Sequence, residues 1–137
     1  MLLLFALTTV FLSVNAWNLP PNPCPDVFQY KYFGGQYNGE VTVPYDGSRS
    51  LSLEVAFSVV GIYRSLLRPV IDNLTPLDEL ESAEFVRYRI TFPRLTYIPM
   101  VTKVEFNGRS FCSGPPYPTS EEGVTSFKAS TMRQFGK

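Results

Sequence analysis

Two cysteines, Cys24 and Cys112, enclose the strand-rich part of a 137-residue chain. In a secreted chain an even pair of cysteines most often forms a disulfide, so a single bridge is expected between them. A bridge that long closes nearly the whole domain, and loop-closure entropy puts its contribution at up to about 4–5 kcal/mol. A pair of free thiols or an intermolecular bridge is the alternative. The cysteines bound the folded unit at residues 24–114.

The context for that chemistry stands in front of them. Residues 1–16 read MLLLFALTTVFLSVNA, an apolar run too short to span a bilayer as a finished helix. Val14 and Ala16 are small residues at signal-peptidase spacing, so cleavage is expected after Ala16, with Trp17 as the new N-terminus. No later stretch is apolar and long enough for a membrane anchor. The expectation is a secreted, extracellular protein. Residues 17–23 are a proline-rich lead.

Hydrophobic alternation sets the fold class. Leu51, Leu53, Val55, Phe57 and Val59 alternate with Ser52, Glu54, Ala56 and Ser58, the period of a strand with one buried face. Phe28, Tyr30 and Tyr32 alternate with Gln29 and Lys31, and this strand forms a hairpin with a short one over 40–43. Gly34-Gly35 and Asn38-Gly39 mark turns. Val86, Tyr88, Ile90 and Phe92 point inward in a further strand, with Arg87 and Arg89 outward. A looser strand is expected over 66–71, and a final hairpin over 101–112 with its turn at Asn107-Gly108. Thr75-Pro76 followed by Asp78 and Glu79 predicts one short helix with Thr75 as its N-cap. Several short strands with one helix indicate an all-β, immunoglobulin-like β-sandwich. Residues 115–137 show no periodicity and read as a flexible tail or linker.

The chain contains no histidine, which removes serine triads, imidazole bases and histidine metal ligands from these residues. It carries no P-loop and no dinucleotide fingerprint, so no cofactor is expected. Lys and Arg balance Asp and Glu at 12 each, so no global field draws nucleic acid. The acids Asp72, Asp78, Glu79, Glu81 and Glu84 cluster, but acids at a helix start already have a structural reason to be there. Arg87, Arg89 and Arg94 form the best candidate contact for sulfated glycans or a protein partner, against the plainer reading of a solvated strand face. Tyr30, Tyr32, Tyr37 and Tyr45 are able to stack on sugar rings or to pack the sandwich. Asn73-Leu74-Thr75 is an N-glycosylation sequon at Asn73, and Pro76 behind it lowers its use.

A resemblance spans Pro23 to Gly114. It is carried by Pro23-Cys24-Pro25, Phe28, Tyr30, Gly39 and the strand Leu51 to Ser58. Arg87 to Pro93, Pro99, Asn107-Gly108 and Phe111-Cys112-Ser113-Gly114 continue it. In order and spacing these resemble the N-terminal domain of insect serine proteases of the gastrulation-defective type. The resemblance implies a non-catalytic module that precedes a trypsin-like protease in a secreted zymogen. Such zymogens act in extracellular cascades, including the one that sets dorsal-ventral polarity and leads toward Toll signalling. It further implies protein partners within the cascade and a role in localisation, docking or control of activation. The sequence departs from the family pattern in lacking a protease domain and a catalytic serine motif before Lys137, so no catalytic residue is carried over. Three readings follow: a free-standing binding module, the front end of a longer trypsin-like protease, or a matrix or sulfated-glycan binding protein.

Overall fold

The computed structural model describes residues 19–134. The expected signal peptide, its cleavage site at Ala16 and Trp17 lie outside the described residues. No helix among the described residues is long and apolar enough to cross a membrane.

Among the described residues eight strands form two antiparallel four-stranded sheets that pack as a sandwich. The first sheet has the order β1 (Phe28–Phe33), β2 (Gln36–Pro44), β5 (Phe85–Thr91), β4 (Val70–Asn73). The second has β7 (Arg109–Ser113), β6 (Met100–Phe106), β3 (Ser50–Val60), β8 (Val124–Gln134). Up to β7 this is the strand order of a constant-type immunoglobulin domain, and β8 is added beyond β3. The inter-sheet disulfide of that fold is not shared. The Cys24–Cys112 disulfide ties the lead before β1 to β7, rather than joining the two sheets through their central strands.

The core follows the alternation. Leu51, Leu53, Val55, Phe57 and Val59 of β3 face Val41 and Val43 of β2 and Val86, Tyr88 and Ile90 of β5, all essentially inaccessible to water. Phe57 is the hub of an aromatic cluster, edge-on to Phe28 and Phe92 and stacked on Phe127 at 5.4 Å. Such pairs add roughly 0.5–1.5 kcal/mol each beyond the area they bury.

Four expectations are corrected. Residues 124–134, read as flexible tail, form β8 and pair with β3 along its whole length. Phe127 and Ala129 of β8 are buried, and at 115–123 the chain crosses the outer face of β3, where the Tyr117 N–H donates to Ser58 Oγ at 3.0 Å. That covering explains why Ser58, on the polar face of β3, is buried. Asn38-Gly39 lies inside β2 rather than in a turn. Gly39 is required there for space, since a Cβ would come within 2.6 Å of the Phe28 ring. The turn uses Gly34-Gly35 alone, both at positive φ. The looser strand starts at Val70, because Pro69 before it has no N–H for a ladder. The helix is a 3-10 turn over Leu77–Ser82 without a side-chain cap. The Thr75 hydroxyl accepts from the Arg87 N–H at 2.8 Å instead, and the buried Leu80 pins the turn to the core.

Candidate binding site

Successive strands run in opposite directions, so the loops gather at two ends. One end holds the β1–β2 turn, the loop 92–99 between β5 and β6, the loop 61–69 after β3, and residues 114–123 before β8. The other end holds residues 45–49, the 3-10 turn and the tight Asn107-Gly108 turn. The first end is open and aromatic.

The tyrosines divide there. Tyr30 points inward, and its hydroxyl donates to the Pro99 carbonyl at 2.7 Å and accepts from the Val101 N–H at 3.2 Å. Burial holds its pKa above the ordinary phenol value. Tyr45 donates to the Ser48 carbonyl at 2.6 Å, at the far end of the sandwich. These two are structural. Tyr32, 67% exposed, and Tyr37 meet edge to face at 5.1 Å on the hairpin tip. Tyr97 rises from the opposite loop to form the other wall. Its hydroxyl donates to Glu122 at 3.2 Å, and that carboxylate raises its pKa. Between the walls runs an open groove of about 460 Å³. A smaller pocket of about 130 Å³ adjoins it and takes Arg94 into its lining. Apolar rings with hydroxyls at their rims suit a ligand that is partly apolar and partly polar, such as a peptide segment or a sugar face.

The three arginines do not form one strip. Arg87 and Arg89 share the outer face of β5, as their alternation requires. The Arg87 guanidinium meets Glu40 of β2 at 3.1 Å. Arg89 lies over the Phe33 ring at 4.3 Å, with Glu40 and Asp72 as its neighbours in register on either side. Arg94 belongs to the groove at the end of the sandwich. The first two therefore stand on a face of mixed charge.

The remaining sequence candidates also have places. Asp72 faces outward on β4, whereas Asp78, Glu79 and Glu81 sit on the 3-10 turn. Among the described residues no group of acids or cysteines is arranged to hold a metal. Asn73 is half-buried at the end of β4, and its Oδ1 accepts from the Thr75 N–H at 2.8 Å. Both polar members of the sequon are thus engaged, Asn73 in the local turn and Thr75 with the Arg87 N–H of β5. Sequence reasoning missed Tyr97, Thr96 and Ile98 as groove residues. The only signal was an aperiodic stretch bounded by Pro93 and Pro99, which marks a loop but not what the loop faces.

The family described as Serine protease gd N-terminus matches residues 22–121. Serine protease gd of Drosophila melanogaster is 31% identical over 103 residues, which is 72% of this chain and 19% of that relative. The chain thus spans about a fifth of the length of the curated relative it matches. No solved structure matches the chain. The matched span holds both cysteines, the first seven strands and the whole tyrosine groove except Glu122 at its rim, and the chain belongs to the Serine protease gd N-terminal family.

Proposed function

We propose that this chain is a secreted, non-catalytic binding module that regulates an extracellular serine-protease cascade of the gd type. The observation that carries the reading is the family match over residues 22–121, which takes in nearly the whole sandwich and corresponds to the N-terminal part of a serine protease. The described residues bring together no nucleophile and base. They do present an aromatic groove at one end, remote from the end where β8 leads the chain out. A domain attached after β8 would leave that groove free to meet partners.

The test has two parts. An antibody against residues 24–112 is used to follow the native secreted product on a reducing gel. A band a little below the 15.5 kDa of the whole chain, as loss of residues 1–16 requires, marks a free-standing module, and a band larger by a protease domain marks the front end of a zymogen. The purified chain is then added to a gd-type zymogen undergoing activation. A dose-dependent change in activation rate is expected, reduced by the pair Tyr32→Ala and Tyr97→Ala. An unchanged rate at saturating chain overturns the regulatory reading.

A further inference from the structure

The sandwich has four edge strands, and three of them are short or tied to the N-terminal lead. On β1 the outward backbone groups of Phe28 are tied to the lead, its N–H donating to the Cys24 carbonyl and its carbonyl accepting from Asn22 Nδ2. On β7 the disulfide holds the strand to the N-terminal lead. The β4 strand has only four residues. By contrast β8 runs for eleven residues without a proline or a break in register.

The direction of its backbone groups follows from its neighbours. The Asn107 N–H donates to the Ser52 carbonyl at 2.8 Å, and the Ser52 N–H donates to Asn107 Oδ1 at 2.8 Å. Both backbone groups of Ser52 therefore point toward β6 and away from β8. Ser52 faces Met132 in register, so Met132 is in a non-hydrogen-bonded pair and turns its own N–H and C=O away from β3. The unbroken register carries that direction to Ser130, Lys128 and Ser126. The bond from the Gly61 N–H to the Gly123 carbonyl, one step beyond Val60 and Val124, has the complementary parity. Among the described residues no backbone hydrogen bond other than those to β3 involves Ser126 to Gln134. Four residues thus offer a free row of donors and acceptors, and their side chains are all exposed.

Charge selects the occupant. The strand carries Lys128 and Arg133 and no acid. Beside its first half the loop after β3 forms a cavity of about 480 Å³ lined by Arg64, Leu66 and Lys128, again without an acid in its walls. Arg64 makes no ion pair among the described residues. Lys128 leans toward Glu54 at 3.9 Å, but Glu54 is closer to Lys103 at 3.3 Å. Leu66 is 72% exposed and Met132 67% exposed, which supplies apolar contacts beside the cations. Pairing β8 with β8 of a second copy would bring together two strands that carry cations and no acid of their own.

We propose that the free edge of β8, with the Arg64–Lys128 cavity beside it, accepts an extended acidic segment of a partner protein as an added strand. Main-chain bonds to Ser126, Lys128, Ser130 and Met132 give the affinity, and the cations select acidic side chains. The inference stands apart from the tyrosine groove and from any role in a protease cascade.

The experiment is amide hydrogen exchange read by NMR on the full chain. The probe is a soluble peptide that alternates valine and threonine with glutamate, with a lysine-for-glutamate peptide as control. The glutamate peptide is expected to slow exchange at Ser126, Lys128, Ser130 and Met132 by about tenfold or more, without changing the already protected Phe127, Ala129 and Thr131. Ser130→Pro removes one outward N–H and none directed at β3, so it abolishes that protection while the β3-directed amides stay slow. Arg64→Glu with Lys128→Glu weakens the glutamate peptide about tenfold or more, and binding falls with added salt. The proposal is overturned if the peptide does not bind, if it binds without protecting β8, or if both variant proteins bind it unchanged. Protection of the outward amides by raised protein concentration alone marks self-pairing and overturns the choice of occupant.

Discussion

The two outer strands of the second sheet are held by opposite means. At one edge β7 has five residues, none of them buried, and its register with β6 shifts between Val104 and Glu105. Burial alone gives such a strand little hold, and the Cys24–Cys112 bond anchors it to the lead that enters β1. At the other edge β8 has eleven residues in unbroken register, with Phe127 and Ala129 in the core, and no covalent tie. A staple stands where packing is thin, and it is absent where packing suffices. The difference predicts where each kind of damage is felt.

The largest effect is expected from the staple. Replacing Cys24 and Cys112 by serine frees a loop with a sequence separation of 88 residues. The loss of stability is up to about 4–5 kcal/mol, read from denaturant unfolding. Exchange should quicken first in β7 and the lead, while β8 keeps its protection up to global unfolding. If β8 and β7 lose protection together, the contrast between them is broken.

Next comes Phe127→Ala, which tests whether β8 belongs to the core. The ring stacks on Phe57 at 5.4 Å and closes the aromatic cluster. Truncation leaves a cavity and should cost about 3 kcal/mol. A loss within about 0.5 kcal/mol, the range of an ordinary surface change, would make β8 an accessory strand.

The same contrast explains what was legible in the sequence. On β3 and β5 every second residue is large and apolar, so a period of two shows, and the buried faces of Leu51 to Val59 and Val86 to Phe92 fall where that period places them. The bridge was legible from the cysteine pair and its setting. β8 was not, because VTSFKASTMRQ puts only Phe127 and Ala129 in the core and the other inward positions are small or polar. Its partner is β3, far away in the chain, so no local pattern records the pairing. Gly39 misled for a related reason. Its glycine serves the Phe28 ring on the next strand rather than a turn of its own. The candidate site was half legible. Tyr32 and Tyr37 lie on a hairpin that the alternation revealed, but Tyr97 meets them only through the three-dimensional arrangement of the loops.

A smaller effect should come from Asn107, the second anchor of the β7 edge. Asn107 has a positive φ of 52° in the turn that leads into β7. Its Oδ1 accepts from the Ser52 N–H at 2.8 Å, and its Nδ2 donates to Asp46 at 3.0 Å. Asn107→Ala removes both bonds and places alanine in the left-handed region, for an expected loss of about 1–2 kcal/mol. Asn107→Gly restores the backbone freedom but not the hydrogen bonds, so it should recover only part of the loss. Full recovery would show that the turn's conformation alone matters to β7, and that the stitch to Ser52 and Asp46 contributes nothing.

The smallest effect is a dependence on acid, confined to that end of the molecule. Asp46 accepts from Asn107 Nδ2 and from the Ser48 N–H at 2.9 Å. The side-chain hydrogen bond from Asn107 is the main cause that holds its carboxyl below the ordinary aspartate value, with burial opposing it and the Ser48 bond assisting. Because the folded pKa is depressed, the unfolded chain takes up the proton at higher pH than the folded one. The contribution is therefore complete above the ordinary aspartate value of 3.8 and is lost as the pH falls through the lower folded value. Unfolding measured between neutral pH and about pH 2 should show a steeper fall for the natural chain than for Asp46→Asn, whose amide oxygen still accepts from Ser48 but does not titrate in this range. The β3-directed amides of β8, at the opposite edge, should exchange alike in both proteins across that range until global unfolding. Parallel stability curves for the two proteins would mean that the Asp46–Asn107 bond is not felt in stability, leaving the disulfide and the Asn107–Ser52 bonds to set β7 apart from β8.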